Sequence, residues 1–233
     1  MYRNLDPEKI VETCRTSRDH IAERFPDSGL SKVAGELLSV SEQAAALSQW
    51  LARPHLPLRT FAGIGIVAVA IIVLEVILNV RVQATFTSVA EFLQGADAAI
   101  NEVVFLGITI FFFITLETRL KRRRAMEAIH VLRSIAHIID MHQLTKDPEI
   151  VTGSRPAGGS EVKHPLSPAE LIRYLDYCSD LLSLISKIAA LYVQKFNDPV
   201  TLSAVNEVEN LTNGLARKIW QKIVISDRIL ASR

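Results

Sequence analysis

Glu75 and Asn79 are polar groups inside an otherwise apolar run, Phe61–Val80. They fall on one helical face with Ile64, Ala68 and Ile72. A carboxylate in hydrocarbon costs ~2.5–3.5 kcal/mol on insertion scales, so Glu75 is expected to face protein or water rather than lipid. Contributed by several copies of the chain, Glu75 and Asn79 would line a water-filled passage. A second apolar run, Val103–Thr118, carries Thr109 and Phe113 on a face shared with Glu102. There a ring of Phe113 side chains would make a dewetting constriction. Asp97 and Glu102 would give such a passage an acidic outer mouth that favours cations. No Thr-Val-Gly-Tyr-Gly-type filter is present, so potassium selectivity of that kind is not expected. The competing readings are structural. Glu75 snorkels to the outer interface or bonds across helices while protonated. Phe111-Phe-Phe113 is packing mass, and Asp97 belongs to a solvated tip.

Two further groups have binding chemistry. Asn206, Asn210 and Asn213 recur along the last predicted helix, followed by Arg217, Lys218, Trp220 and Lys222. On an open face, Asn206, Asn210, Arg217 and Trp220 would hold a small ligand such as a phosphate or nucleotide. In an apolar seam the asparagines would set register. His130, His137, Asp140 and His142 invite a metal, but the His-Glu-x-x-His spacing is absent, and neither a metal site nor any other cofactor is expected.

These residues need elements to hold them. At 1.5 Å per residue, Phe61–Val80 matches the ~30 Å hydrocarbon core of a bilayer. The second run reaches that length if its helix starts near Ala98, giving spans over 61–80 and 98–118. The link between them carries a short amphipathic pattern from Thr85 to Leu93, which Gly95 is expected to break. Basic residues flank the outer ends of the pair: Arg53 and Arg59 before the first run, and Arg119, Lys121, Arg122, Arg123 and Arg124 after the second. The link holds Arg81 against Glu91, Asp97 and Glu102. By the positive-inside rule both termini face the cytoplasm. The five basic residues after the second run would rest against anionic headgroups as a membrane-surface anchor.

Around this pair the chain is helical. Residues 1–57 form a hairpin, with Asp6-Pro7 as a start signal and a narrow seam Val33, Leu37, Val40, Ala44, Leu47, Leu51. Residues 58–120 form the apolar hairpin, and 121–145 continue its second helix without a break, so that a rod from Arg119 to Leu144 would carry motion. Residues 146–167 form a flexible, glycine-rich loop that lacks the phosphate-loop spacing. Residues 168–233 form a second hairpin, opened by the capping box Ser167-Pro-Ala-Glu170 and carrying the seam Leu171, Leu175, Cys178, Leu182, Ile185, Ala189, Tyr192, Phe196. The expected fold is all-α: an integral membrane two-helix hairpin with a cytoplasmic antiparallel bundle built from both terminal segments.

Composition narrows the function. The 233 residues include 26 basic and 25 acidic side chains, a net charge of +1 that does not suggest nucleic acid as a partner. The two cysteines, Cys14 and Cys178, form neither a disulfide framework nor a metal spacing. No nucleophile elbow, zinc spacing, paired-carboxylate signature or dinucleotide fingerprint is present, so no enzyme is expected. The plan resembles that of small bacterial membrane effectors and sensors, a likeness of architecture without a residue motif. The expected partners are the lipid bilayer and further copies of the chain, with a cytoplasmic protein or small ligand as a third class. The expected location is a bacterial inner membrane. The expected function is an oligomeric ion-conducting pore or effector coupled to a helical sensing and assembly domain. The alternative is a non-conducting, membrane-anchored scaffold or adaptor.

Overall fold

The computed structural model describes residues 4–79, 89–144, 146 and 166–231. Within them the chain is all-α, with no strand. In order, the helices are α1 (Pro7–Arg24), α2 (Gly29–Ala52), α3 (Leu56–Asn79), α4 (Val89–Leu144), α5 (Pro168–Val193) and α6 (Pro199–Ala231). They form two compact units, Met1–Ala52 with Arg122–Arg233, and Arg53–Lys121.

Local chemistry sets the starts of three helices. Asp6 caps α1 by accepting from the Glu8 N–H at 3.0 Å, with Pro7 at the first helical position. Ser167 and Glu170 form a reciprocal capping box on α5, the Ser167 N–H donating to Glu170 Oε2 at 2.8 Å. Asp198 caps α6 by accepting from the Thr201 N–H at 2.9 Å and the Thr201 hydroxyl at 2.8 Å.

In the larger unit one face of each helix turns inward. Ile10, Cys14 and Ile21 of α1 meet Leu30, Val33, Leu37, Val40 and Ala44 of α2. The α5 seam is buried along its length from Leu171 to Tyr192, and α6 folds back on it with Val205, Val208, Leu215 and Ile219. The part of α4 beyond Arg122 joins this core through Ala125, Ile129, Leu132, Ala136 and Ile139. Phe25, at the end of α1, packs edge-on against Tyr174 with ring centroids 5.4 Å apart. In the following turn Asp27 takes φ 57°, a left-handed conformation that Asp tolerates. Gly29 then starts α2 against the His142 imidazole, which occupies the place a Cβ would take. Both cysteines are buried here. Burial raises the Cys14 thiol, with Ser41 partly opposing, and pushes the Cys178 thiol up to about 12 against the pull of Lys222 and Lys146. Neither is a reactive thiolate at neutral pH.

The smaller unit pairs α3 with the first part of α4. Two helical stretches are long and apolar enough to cross a membrane, one ending at Glu75 and one over Leu93–Leu144, with mean hydropathies of 2.2 and 2.1 across their 18-residue windows. Neither window is buried within the chain. Ile64, Leu78, Val103 and Phe105 stand exposed. α4 is a single helix of 56 residues. It therefore begins before Ala98 and runs through Gly95, where a break was expected. One glycine costs a helix only about 1 kcal/mol relative to alanine, and the flanking Ala96, Ala98 and Ala99 favour helix. The rest of the expected link helix, Thr85–Ser88, and most of the 146–167 loop lie outside the described residues.

Candidate functional sites

The two apolar helices meet along Leu106, Ile110, Phe113 and Glu117 of α4, which recur at steps of four and three. Opposite them on α3 lie Phe61, Gly65, Ile66, Val69 and Val73. The Phe113 ring sits over Gly65 and edge-on to Phe61, with centroids 6.2 Å apart. These contacts support a packing role for Phe113. A Cβ at position 65 would stand 2.6 Å from Phe113 Cζ. Gly65→Ala is therefore expected to overpack the seam and lower stability by about 1–3 kcal/mol. Thermal unfolding in detergent micelles reads this, and adding Phe113→Leu is expected to recover most of the loss. Farther along the seam an apolar crevice of 330 Å³ separates Ile66, Val69 and Val73 from Leu106 and Ile110.

Glu75 lies elsewhere on α3. It shares the exposed face with Ile64, Ala68 and Ile72, turned away from the side that packs on α4. Asn79 ends the helix, and its side chain lies outside the described residues. On α4, Asp97 and Glu102 are exposed, while Thr109 is half-buried and donates its hydroxyl to the Phe105 carbonyl at 2.8 Å. The hairpin thus draws Phe113 toward α3 and leaves Glu75 on the far side.

A site not singled out in the sequence stands at the other end of the hairpin. Glu117 Oε2 accepts from Arg59 Nε at 2.7 Å, and Oε1 accepts from the His55 N–H at 3.3 Å and pairs with Lys121 Nζ at 2.9 Å. Lys121 Nζ also donates to the Arg53 carbonyl at 2.8 Å. The Glu117 and Lys121 side chains are only 15% and 9% exposed. The clasp locks the Arg53–Arg59 joint, with its prolines at 54 and 57, onto α4. The Glu117–Lys121 spacing of four was visible in the sequence; its partners more than fifty positions upstream were not.

The basic cluster is accordingly not one surface. Lys121 is buried in the clasp, which corrects its assignment to the lipid anchor: an ammonium held by a carboxylate and a carbonyl does not also reach a headgroup. Arg122 grips Asp198 through Nε and Nη2, the shortest contact being 2.6 Å. Arg124 stacks 4.4 Å over the Trp50 ring. Arg119 and Arg123 keep exposed positions, the first over Phe112 and the second paired with Glu127.

On α6, Asn206, Asn210, Asn213, Arg217 and Trp220 are all exposed, so the asparagines do not set register within this chain's core. The concavity on α6 lies to one side of this stripe. It is a groove of 430 Å³ between α4 and α6, lined by Met126, His130 and Arg133 and by Val200, Ser203 and Glu207. Arg133 and Glu207 pair across it at 3.3 Å. His130 and His137 are exposed, while His142 packs on Gly29, and no group of three metal-ligating side chains occurs among the described residues. The chain matches no protein-family model, no curated protein and no solved structure.

Proposed function

We propose that the chain is an integral membrane protein with two spans per copy, α3 and the apolar part of α4, and both termini in the cytoplasm. Copies assemble into an ion-conducting pore, and the helical unit serves assembly and sensing. The observation that carries this reading is the placement of Glu75. Within the hairpin, α3 packs on α4 through Gly65, Val69 and Val73, and Glu75 stands on the other side with Ile64, Ala68 and Ile72. In a bilayer that face meets either lipid or another protein surface. An ionisable group on that face is costly against lipid tails whatever it bonds within its own chain, which supports the second. Two spans do not enclose a channel, so several copies are needed, with Glu75 toward the lumen. Glu102 and Asp97 belong to the outer mouth in this reading. Phe113 is left out of the lining, because its ring is engaged by Gly65 and Phe61. α4, a single helix shared by both units, is the element through which the helical unit acts.

Purified full-length protein in liposomes is expected to pass cations, and Glu75→Gln is expected to reduce that flux several-fold without changing oligomer size. A reconstituted oligomer that stays silent across voltages overturns the reading.

One observation favours the non-conducting scaffold instead: the two spans already pair within one chain, through Phe113 on Gly65 and through the Glu117 clasp. In that case an unrelated two-span hairpin substitutes for residues 53–121 without loss of function in the host.

A further inference from the structure

We propose that the hairpin carries a seat for one anionic phospholipid of the inner leaflet, its phosphate on Arg59 and one acyl chain in the crevice beside the α3–α4 seam. This rests on the two-span reading above and names a ligand for it. Every part of the seat lies within the smaller unit, Arg53–Lys121. The described lining of the 330 Å³ crevice is wholly aliphatic, with Ala70 beside Ile66, Val69 and Val73 on α3 and Leu106 and Ile110 on α4. A polar ligand finds no partner there, and water needs at least two. At the rim Ala70 and Leu74 are exposed. Neither apolar window is buried within the chain, so in a bilayer acyl chains surround the crevice. The pore reading turns the Glu75 stripe toward other copies and leaves this side of the hairpin to lipid.

The head end follows from the same helix. Arg59, Ile66, Ala70 and Val73 stand at steps of seven, four and three, hence on one stripe of α3. Arg59 gives its Nε to Glu117 and is 61% exposed, which leaves its two Nη groups for a second acceptor. Glu117 does not neutralise the clasp, because the same carboxylate also pairs with Lys121. Two cations on one carboxylate keep a positive surplus, and a phosphate matches the forked guanidinium. Gly63, one turn on from Arg59, has nothing within 4 Å of where a Cβ would stand, so that turn leaves the path to the crevice open. The lengths agree. At 1.5 Å per residue, Ile66 and Val73 lie about 10 Å and 21 Å along α3 from Arg59, and one leaflet of a ~30 Å core is about 15 Å deep.

The test follows thermal unfolding of full-length protein in dodecylmaltoside micelles with added dioleoylphosphatidylglycerol or dioleoylphosphatidylcholine, which share their tails. The anionic lipid is expected to bind about tenfold tighter, as one charge-assisted contact would give, and to raise Tm by a larger, saturable amount. Arg59→Gln is expected to abolish that preference. Ala70→Phe fills the crevice without touching the clasp; it is expected to unfold like the parent in detergent alone and to lose the rise with phosphatidylglycerol. Where Arg59→Gln is too unstable to assay, Ala70→Phe and the two-lipid comparison decide. An equal response to the two lipids, or a rise that either variant keeps, overturns the proposal. A rise reproduced by inorganic phosphate alone shows an anion site without a tail and overturns it too. So does cross-linking of Ala70→Cys between copies by a bis-maleimide, which would place a second copy over the crevice; the native thiols are buried and give a low background. In each of these cases a chain that still needs detergent leaves the two-span reading standing. A chain that stays dispersed without detergent and does not float with vesicles overturns both.

Discussion

Replacing Glu117 with alanine is expected to destabilise the hairpin by about 3–5 kcal/mol, because it removes the acceptor from an ion pair already out of solvent. Lys121 would be left buried, with the Arg53 carbonyl as its described acceptor. Arg59 is 61% exposed and would turn to water, so most of the loss comes from the lysine. The His55 N–H would also lose an acceptor. In a chain of this size the loss corresponds to a fall in Tm of roughly 10 °C, measured on full-length protein in detergent. Glu117→Gln keeps an acceptor for His55 and Arg59 but not the charge, and is expected to fall between. The diagnostic variant is the pair Glu117→Leu with Lys121→Met. Removing both charges strands neither, so the double variant is expected to be more stable than Glu117→Ala despite carrying one more substitution. A Glu117→Ala protein that melts with the parent shows that the clasp contributes nothing. Limited trypsin digestion gives a second readout: cleavage after Arg59, which precedes Thr60, is expected to quicken when the joint is no longer tied to α4.

What was legible in the sequence was whatever a few neighbouring residues decide. Asp6-Pro7 and Ser167-Pro-Ala-Glu170 start helices by bonding their own backbone, and both do so here. The seam from Leu171 to Tyr192 is buried because steps of four and three place those side chains on one stripe whatever the partner. The apolar runs were equally plain, being defined by composition. The clasp and the groove were hidden because each joins distant segments: Glu117 to Arg59, and Arg133 to Glu207. The basic run misled for a related reason. Read as a string, Arg119 to Arg124 is one positive cluster; wound at 3.6 residues per turn it is dealt around the helix, so that Lys121 turns inward, Arg122 meets Asp198 and Arg124 meets Trp50. Gly95 misled by the opposite route, since a breaker residue was overruled by the helix formers around it. For Glu75 the sequence established only that a carboxylate sits among apolar neighbours. Which side of α3 packs on α4 had to come from the placement of Gly65, Val69 and Val73.

Asp198→Ala is expected to cost the helical unit about 2–4 kcal/mol, and the parent chain's stability is expected to fall in acid by the part of that loss that depends on charge. Two functions meet in this side chain, which is only 2% exposed. It caps α6 through the Thr201 N–H and hydroxyl, worth ~1 kcal/mol, and it accepts three hydrogen bonds from Arg122, where charge-assisted bonds contribute about 1.5–3 kcal/mol. Arg122 is 38% exposed and finds water when the pair breaks, which keeps the total below that of a fully buried pair. Burial pushes the Asp198 carboxyl up, but Arg122 and Thr201 outweigh it and hold the group below its ordinary value. The native state thus binds this proton less readily than the unfolded chain. The stabilisation is fully present above the unfolded carboxyl value of about 4, and is lost as the pH falls below it through the native one. Asp198→Asn is the discriminating variant. It keeps an oxygen for the Thr201 N–H, and so most of the cap, but has no charge to lose. Its stability is expected to lie below the parent's at neutral pH and to converge on it in acid. The two tryptophans, Trp50 against Arg124 and Trp220 exposed on α6, give a fluorescence signal for denaturant titrations of the full chain in detergent. Parallel pH profiles for parent and Asp198→Asn would show that Arg122 and Asp198 touch without stabilising the bundle.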